Sequence, residues 1–449
     1  MKKQMSRREF LRLSALASAG VGLAACAVPT PAVETVQETE AVAEAATATP
    51  PPAEEVTLHV MHNWADTDAK GPPLQSIFSD FMETYPDITL EQEVFTDEEI
   101  PIKVETAFLA GEEPDIVLHN FMANSLTWTE DGLTVPIDDY LVEWGLKDRF
   151  LDTALQQWQN PQGHYSAFPL EGFNWPIWYN TQILGEAGVE IPITFDELLA
   201  AIPKIQEAGY APIVTGGADW TGWAQFALIL ATHMDYYETA LPLFRDGGLW
   251  EDPAGIAGVE DFVQIRDAGG FAEETPGLDF GGRNEYYYSG KAAMMHGGSW
   301  VYSETPEELW PDITLAGFPL PEGSPHPMPL IYAAYTAKGV WITRNGAEKL
   351  EAAQKLVEFM YQPDMIARLV EQSSMPPPLK EVEVDESKLN PLFVQSLKLA
   401  DKVSMTPAVQ GQAPGAARPD LLNMAKEAYL DVTAQEILDA IQAAYEAAA

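Results

Sequence analysis

An alternation of strand and helix patterns in the first part of the chain most restricts what it can fold into. Val56–Met61 alternates apolar and polar residues as a strand does, and Leu74–Tyr85 places apolar residues at helical spacing. A strand pattern at Pro86–Val94, a helix ended by Gly111 and a short apolar strand at Ile116–Leu118 follow. This βαβαβ order predicts a parallel sheet with helices on its faces.

Helix patterns recur towards the C-terminus, so the chain is expected to be α/β throughout. At 449 residues, 46% of them apolar, it exceeds a single typical core, and two domains are expected. Three pairs of residues have the spacing of a helix-capping box and precede apolar helical patterns: Thr194 with Glu197, Asn345 with Glu348, and Thr433 with Glu436.

The N-terminus has the pattern of an export signal. Five basic residues precede a weakly apolar stretch that is too short to span a bilayer. Ser6–Arg12 (SRREFLR) resembles a twin-arginine signal, and Leu23–Cys26 (LAAC) resembles a bacterial lipobox, in which Cys26 would be lipidated. We expect a signal peptide at 1–25 and a disordered tether, rich in Ala, Thr, Glu and Pro, at 26–55. The protein would then be lipid-anchored at the outer face of the cytoplasmic membrane or in the periplasm.

Charge and motif content exclude several classes of function. The formal net charge of −43 would repel phosphate backbones and anionic lipid, which argues against binding of nucleic acid. No phosphate-binding loop, dinucleotide fingerprint or serine-hydrolase elbow occurs. Carboxylates are so frequent that a pair of them is no evidence for glycosidase chemistry. No cofactor and no metal site are predicted.

Tryptophan positions are the strongest sign of a binding site. Trp64 follows the first strand, Trp220 and Trp223 follow PIVTGGAD, and Trp300 follows MMHGG. Ligands of open α/β sheets bind beyond the carboxyl ends of strands, where an indole face suits the apolar face of a sugar ring. Each tryptophan alone is better explained as core, but together they predict that at least two line a cleft. Polar residues placed to bind hydroxyl groups there are Asp66, Asp68, Asn120 and Asp219.

The segment Gly172–Ile213 resembles the family 1 extracellular solute-binding proteins of ABC importers. Thr181 and Gln182 depart from the usual Lys-Asp of that family. The segments AGEEPDIV and GKAAMMHGGSWVYSE, and the stretch beginning GVWITRNGAEKLEAAQ, are also similar to family members. The matching residues of the main segment are Trp178, Tyr179, Asn180, Ala187, Gly188, Pro192, Thr194, Phe195, Glu197, Leu198, Gly209 and Pro212.

The resemblance implies a two-lobed, periplasmic-binding-protein-like α/β fold of type II, in which each lobe is a mixed or parallel sheet flanked by helices. Three crossings would join the lobes, near 168–174, 328–333 and 374–379. The N-lobe would comprise 56–168 and 334–375, and the C-lobe 174–330 and 380–449. Ligand would bind between the lobes and close them by a hinge motion.

The resemblance further implies a membrane-tethered, non-catalytic, monomeric receptor that delivers a sugar, oligosaccharide or polyol to an ABC permease. Lys338 stands where many members have a small residue. Two alternatives remain open: a tethered glycoside hydrolase that uses the same tryptophans as subsites, and a surface adhesin. The implied ligand-binding residues are Asn63, Trp64, Asp66, Asp68, His119, Asn120, Glu171, Trp175, Asp219, Trp220, Trp223, Gly298, Trp300 and Tyr335.

Overall fold

Two β-sheets organise the part of the chain that the computed structural model describes, which is residues 55–67, 69–97, 99–120, 125, 127–160 and 162–449, with the backbone alone at 335–336. The first sheet has the strand order β10-β9-β3-β1-β2, with β4 paired to β9, and the second has the order β6-β7-β5-β8. The strands are β1 Val56–His62, β2 Ile88–Val94, β3 Ile116–Asn120, β4 Phe168–Trp175, β5 Ile177–Asn180, β6 Ala211–Val214, β7 Ala292–His296, β8 Ile313–Ala316, β9 Leu330–Ile342 and β10 Ser404–Thr406.

Helices cover both sheets. Short 3-10 or π turns occur at Lys147–Arg149, Tyr236–Ala240, Thr275–Gly277, Ser299–Glu304, Glu307–Asp312, Glu386–Lys388 and Val409–Gln412. The α-helices are α1 Gly71–Thr84, α2 Glu99–Ala110, α3 Asp138–Glu143, α4 Asp152–Gln157, α5 Thr181–Ala187, α6 Phe195–Glu207, α7 Trp220–Ala231, α8 Leu241–Asp246, α9 Pro253–Asp267, α10 Phe280–Tyr288, α11 Arg344–Glu348, α12 Leu350–Met360, α13 Pro363–Ser373, α14 Pro391–Leu397, α15 Arg418–Ala428 and α16 Ala434–Ala448.

The first sheet confirms the βαβαβ prediction. Strand β1 pairs in parallel with β2 and with β3, and β9 then pairs antiparallel to β3. Helix α1 buries Leu74, Ile77, Phe78 and Phe81 on one face, as the helical spacing predicts. The carboxyl ends of β1, β2 and β3 therefore lie at one edge of the sheet.

Strand β4 connects the two sheets. It pairs antiparallel to β9 from Phe168 opposite Val340 to Trp175 opposite Tyr332, and β5 of the second sheet begins at Ile177. The pairing is irregular, because between the pairs Glu171–Lys338 and Phe173–Ala334 one residue of β4 faces three residues of β9. A bulge in β9 thus lies at 335–337, beside the junction of the sheets.

Two of the three capping predictions are confirmed. Thr194 with Glu197 and Thr433 with Glu436 form reciprocal capping boxes at the starts of α6 and α16. The third is wrong, because Thr343, rather than Asn345, caps α11 by accepting a hydrogen bond from Gly346 N at 3.1 Å. The Asn345 side chain instead donates to the carbonyl oxygen of Glu113 at 2.9 Å.

Among the described residues, no helix is both long enough and apolar enough to cross a bilayer. The export signal, Cys26 and the tether fall outside the described residues. Those assignments, like the lobe boundaries, stay predictions.

Candidate functional site

A set of polar side chains, which we call the polar cluster, lies at the carboxyl ends of β1, β2 and β3. Asn63 follows β1, Asp97 follows β2, and His119 and Asn120 end β3, while Lys338 enters from β9 opposite Asn120. Asp97 Oδ2 accepts hydrogen bonds from Asn63 Nδ2 at 2.7 Å and from Asn120 Nδ2 at 2.6 Å. The Asp97 carboxylate therefore fixes the orientation of both amides.

The other oxygen of Asp97 faces two basic side chains. Asp97 Oδ1 lies 3.7 Å from Lys338 Nζ and 3.4 Å from His119 Nδ1. Burial opposes ionisation, but the charge of Lys338 and the His119 contact outweigh it and hold the pKa of Asp97 well below its usual range. Burial lowers the pKa of His119, and this outweighs the opposing effect of Asp97. The result is an ionised Asp97 beside a neutral His119.

Two lysines contact the ring of Trp64 beside the polar cluster. Lys70 Nζ lies 5.5 Å and Lys338 Nζ 5.6 Å from the centroid of the Trp64 ring, which is 1% exposed. Lys70 also pairs with Glu171 of β4, at 2.9 Å between Nζ and Oε1. The indole of Trp64 thus packs in the wall of the site, held by cation–π contacts, and has little face to offer a ligand.

A second set of side chains, which we call the aromatic cluster, surrounds the C-terminal end of β4. It consists of Phe173 and Trp175 of β4, Trp220 at the start of α7, Phe280 at the start of α10, and Trp300 after β7. The ring centroid of Trp175 is 4.9 Å from that of Trp300 and 5.6 Å from that of Trp220, and Trp220 stacks on Phe280 at 5.7 Å. Trp175 is buried at the centre, whereas the other four rings stay partly exposed. An apolar surface is the result.

His296 and Arg283 support the aromatic cluster from behind. The His296 ring stacks on Trp175 at 4.3 Å, and the His296 carbonyl oxygen accepts from Trp175 Nε1 at 3.1 Å. Arg283, fully buried, donates to the same oxygen, and its guanidinium lies 5.2 Å from the Phe280 ring. Burial lowers the pKa of Arg283 to about 10, and burial also holds the pKa of His296 well below its usual range. The supporting layer therefore carries one cation and one neutral imidazole.

The two glycines before Trp300 make room for two indoles. A Cβ on Gly297 would lie 2.6 Å from the Trp178 ring, and a Cβ on Gly298 would lie 2.2 Å from the Trp300 ring. Trp178 is fully buried, whereas Trp300 is partly exposed. Only glycine, which has no side chain, lets the backbone lie this close to the two rings. Gly298 thus acts through Trp300.

The remaining predicted site residues lie in various places. Trp223 is buried among Phe226 and Phe244 in the core of the second sheet's helices, so the structure removes it from the site. Asp219 is the N-cap of α7, and its Oδ1 accepts a hydrogen bond from Thr221 N at 2.8 Å. Its side chain therefore has a structural role. Asp66 is exposed in the loop after β1, Asp68 is outside the described residues, and for Tyr335 only the backbone position in β9 is described.

Sequence reasoning missed several residues of the site, among them Asp97, Lys70, Phe280, Arg283 and His296. A signal for Asp97 was present, since it follows the end of β2 as Asn63 follows the end of β1. No local signal marks Lys70 or Arg283, because their partners Glu171 and His296 are 101 and 13 residues away and meet them only through the fold.

Strand β4 runs beside both clusters, because Glu171 pairs with Lys338 of the polar cluster and Trp175 belongs to the aromatic cluster. Glu171 and Trp175 are four residues apart on β4, a separation of about 13 Å at the usual rise of a strand. Asn120 lies two strands across the sheet from Glu171, with Lys338 of β9 between them, so the amides and the rings are separated both along and across the strands. Among the residues with described positions, no group of three His, Cys, Asp or Glu side chains could hold a metal ion.

Comparison with known proteins identifies the family. The sequence profile described as "Bacterial extracellular solute-binding protein" matches residues 64–367, more than half of the chain. The chain belongs to this family. The family resemblance and the two-lobed α/β fold expected from the sequence are thereby confirmed.

Solved structures and a curated relative are also similar to this chain. A probable secreted solute-binding lipoprotein of Streptomyces coelicolor has a solved structure with 32% identity and a TM-score of 0.77, covering 87% of this chain and 98% of that one. A chitin oligosaccharide binding protein, 21% identical, shares the fold with a TM-score of 0.77, covering 88% and 99% of the two chains. A probable sugar-binding periplasmic protein of Rhizobium meliloti (strain 1021) is 30% identical over 186 residues. That match spans 40% of this chain and 43% of the relative, less than half of either.

Proposed function

We propose that this solute-binding protein is an extracytoplasmic receptor that binds a carbohydrate between its lobes and delivers it to an ABC permease. The observation that carries the proposal is that the paired strands β4 and β9 connect the two clusters: partly exposed aromatic rings surround Trp175 of β4, and the amides fixed by Asp97 lie beside Lys338 of β9. Relatives named as binders of sugar or chitin oligosaccharide support it.

The chemistry of a sugar fits this arrangement. A pyranose has an apolar face of C–H groups that packs on an indole, and a rim of hydroxyl groups that donate and accept hydrogen bonds. Trp220 and Trp300 offer the partly exposed rings, and Asn63 and Asn120 offer the amides. Trp175, Trp64, His119 and Glu171 would hold these groups in place, and Tyr335 remains a proposed contact from the bulge of β9.

Closure of two lobes around the ligand is part of the proposal. The N-lobe (56–168 and 334–375) would supply the polar cluster, and the C-lobe (174–330 and 380–449) most of the aromatic cluster. The ligand would favour the closed form because only there does it contact both clusters. The permease would then recognise the closed, loaded receptor.

Anchoring of the receptor rests on sequence alone. Export by a twin-arginine signal and lipidation at Cys26 would hold a monomer near its permease, with residues 26–55 as the tether. Replacing Cys26 with alanine should release the protein from the membrane fraction without changing its affinity for ligand. Retention of Cys26→Ala in the membrane fraction would argue against the lipid anchor.

Binding without catalysis is the form of the proposal that the site supports. Glycoside hydrolysis needs two carboxyl groups that serve as acid and as base or nucleophile. The carboxylates of Asp97 and Glu171 face Lys338 and Lys70, and Asp97 is also held by two amides. No observation in the described part of the chain favours the hydrolase or the adhesin.

Titration against a panel of solutes tests the function. Intrinsic tryptophan fluorescence and thermal shift should both respond saturably to a subset of mono- and oligosaccharides or polyols, with no release of reducing sugar. Turnover of a bound saccharide would favour the hydrolase. If the signals respond to none of the saccharides or polyols, the proposed function is wrong.

A further inference from the structure

The strongly acidic chain and its candidate site are expected to differ in how they interact with a cation. The chain carries 68 acidic and 25 basic residues, so its long-range field attracts cations. At the site, however, three carboxylates (Asp97, Glu171 and Asp219) are all engaged by groups of the protein itself. A cationic solute bound at the two clusters would need a carboxylate that is not already paired within the protein.

Asp97 is held by hydrogen bonds at one oxygen and by charge contacts at the other. Its Oδ2 accepts from two asparagine amides, and its Oδ1 faces the buried Lys338 and His119. Lys338 itself is held in place, since it also donates to Asn63 Oδ1 and lies between Asn120 and Glu171 in the pairing of β9. A ligand ammonium would have to displace the Lys338 side chain from Asp97. Lys338 is fully buried, so moving its charge is costly.

Glu171 and Asp219 are engaged in different ways. The Glu171 side chain is 5% exposed and pairs with Lys70, whose side chain is 16% exposed. Asp219 accepts from Thr221 N and Thr221 Oγ1 with one oxygen, and from Phe280 N with the other. These bonds position the starts of α7 and α10, and with them the rings of Trp220 and Phe280.

We propose that Lys338 and Lys70 are specificity-determining residues that restrict the site to uncharged solutes and exclude amines. The inference rests on the proposed function and names its ligand class: neutral sugars or polyols, rather than amino sugars or polyamines. Each lysine neutralises a carboxylate that would otherwise bind a cation, and each places a positive charge where the ammonium of a ligand would lie. The acidity of the chain is then a property of its surface and not a guide to its ligand.

The first measurement compares matched probes on the wild-type protein. These are disaccharides of N-acetylglucosamine and of glucosamine with the same linkage, the tightest neutral sugar of the panel with its monoamino analogue, and spermidine. Neutral members should bind at least about tenfold more tightly than charged ones, because like charges repel strongly at a partly buried site. A charged member that binds as tightly as its neutral partner refutes the inference.

Substitution of Lys70 is the second measurement. Lys70→Met leaves Glu171 without its cation, so affinity for the amines should rise at least about tenfold relative to the neutral sugar. Lys204→Met, on the exposed face of α6, changes the net charge equally and should leave the ratio unchanged. The gain should vanish in Lys70→Met/Glu171→Gln, and melting curves of all variants check that each is folded.

The outcomes separate this inference from the proposed function. If no saccharide binds and Lys70→Met still gains affinity for spermidine, the proposed function fails and the role of Lys70 stands. If saccharides bind but Lys70→Met leaves the ratio of amine to neutral affinity unchanged, the inference fails and the function stands. Tight binding of spermidine by the wild type, without saccharide binding, refutes both.

Discussion

Replacing Gly298 with alanine tests whether the partly exposed indole of Trp300 contributes to ligand binding. The backbone of Gly298 has φ −87° and ψ 166°, which alanine adopts without strain. The added Cβ would lie 2.2 Å from the Trp300 ring, whereas carbon atoms in contact are about 3.5–4.0 Å apart, so the ring must move by more than about 1 Å. Because Trp300 is partly exposed, it can move outwards.

The expected effects on stability and on affinity differ. Overpacking costs about 1–3 kcal/mol in a closed core, and the loss of glycine's freedom in the unfolded chain returns about 0.4–1 kcal/mol. With an outward path for the ring, the apo protein should lose about 1 kcal/mol or less. Affinity for the saccharide should fall at least about tenfold, equivalent to about 1.4 kcal/mol, since the displaced ring no longer matches the ligand.

Gly297→Ala is the matched control. Its Cβ would lie 2.6 Å from the ring of Trp178, which is fully buried and donates from Nε1 to the carbonyl oxygen of Gly297 at 2.6 Å. That ring has no outward path, so this variant should lose stability, by about 1–3 kcal/mol. Thermal melts of the apo proteins and titration followed by calorimetry measure both quantities. Equal loss of stability in the two variants, or unchanged affinity in Gly298→Ala, would refute the reasoning.

Three further predictions concern the aromatic cluster and its support. Trp300→Ala should abolish the ligand response and leave the apo melting temperature within a few degrees; a loss of about 3–5 kcal/mol, as for a core aromatic residue, would show instead that Trp300 is core. Arg283→Met should weaken saccharide binding several-fold, with partial rescue by Arg283→Lys, because the guanidinium bonds to the carbonyl oxygen of His296 beside Trp175 and covers Phe280; unchanged affinity would contradict this. Acidification from pH 7 to 5 should lower the melting temperature, because the lowered pKa of buried His296 keeps its imidazole neutral when folded while the unfolded chain takes up a proton near pH 6.5, a loss of up to about 1.4 kcal/mol per pH unit. His296→Gln should flatten that profile, and an equally steep profile in this variant would assign the effect to other groups.

The sequence predicts the fold well where local chemistry decides it. The strand at Val56–Met61, the helix that ends at Gly111 and two of the capping boxes are set by periodicity and by near neighbours, and they are confirmed. The cap of α11 was misassigned because Thr343 and Asn345 are both good caps, and the long strand β9 ends directly before Thr343. Which of two such residues caps a helix depends on where the strand stops.

The residues of the candidate site are predicted only in part, because strand ends mark some of them and tertiary packing decides the others. The rule that ligands lie beyond strand ends selects Asn63, Asn120 and Trp300, which lie in the two clusters, and their contact with a ligand stays a prediction. It does not distinguish Trp220 from Trp223, because α7 begins at Trp220 and a turn of about 300° over three residues directs Trp223 into the core.

Pairing across the sheet is the other part that the sequence does not reveal. Lys338 meets Asp97 because β9 pairs with β3, a strand from a distant part of the chain, and this places Lys338 beside the ends of β1, β2 and β3. A lysine within an apolar strand pattern carries no sign of its distant partner. The same holds for Lys70 and Glu171, 101 residues apart.

The bulge of β9 at 335–337 gives the chain spare length next to both clusters. Strand pairing is regular at Phe168–Pro169 on one side and at Phe173–Trp175 on the other, so the sheet register is set independently of the residues between. An insertion or deletion confined to the bulge would therefore reshape the wall beside Glu171 and Phe173 while both flanking ladders keep their partners. For anyone redesigning the receptor for a different solute, this segment is a place to vary loop length without rebuilding the scaffold.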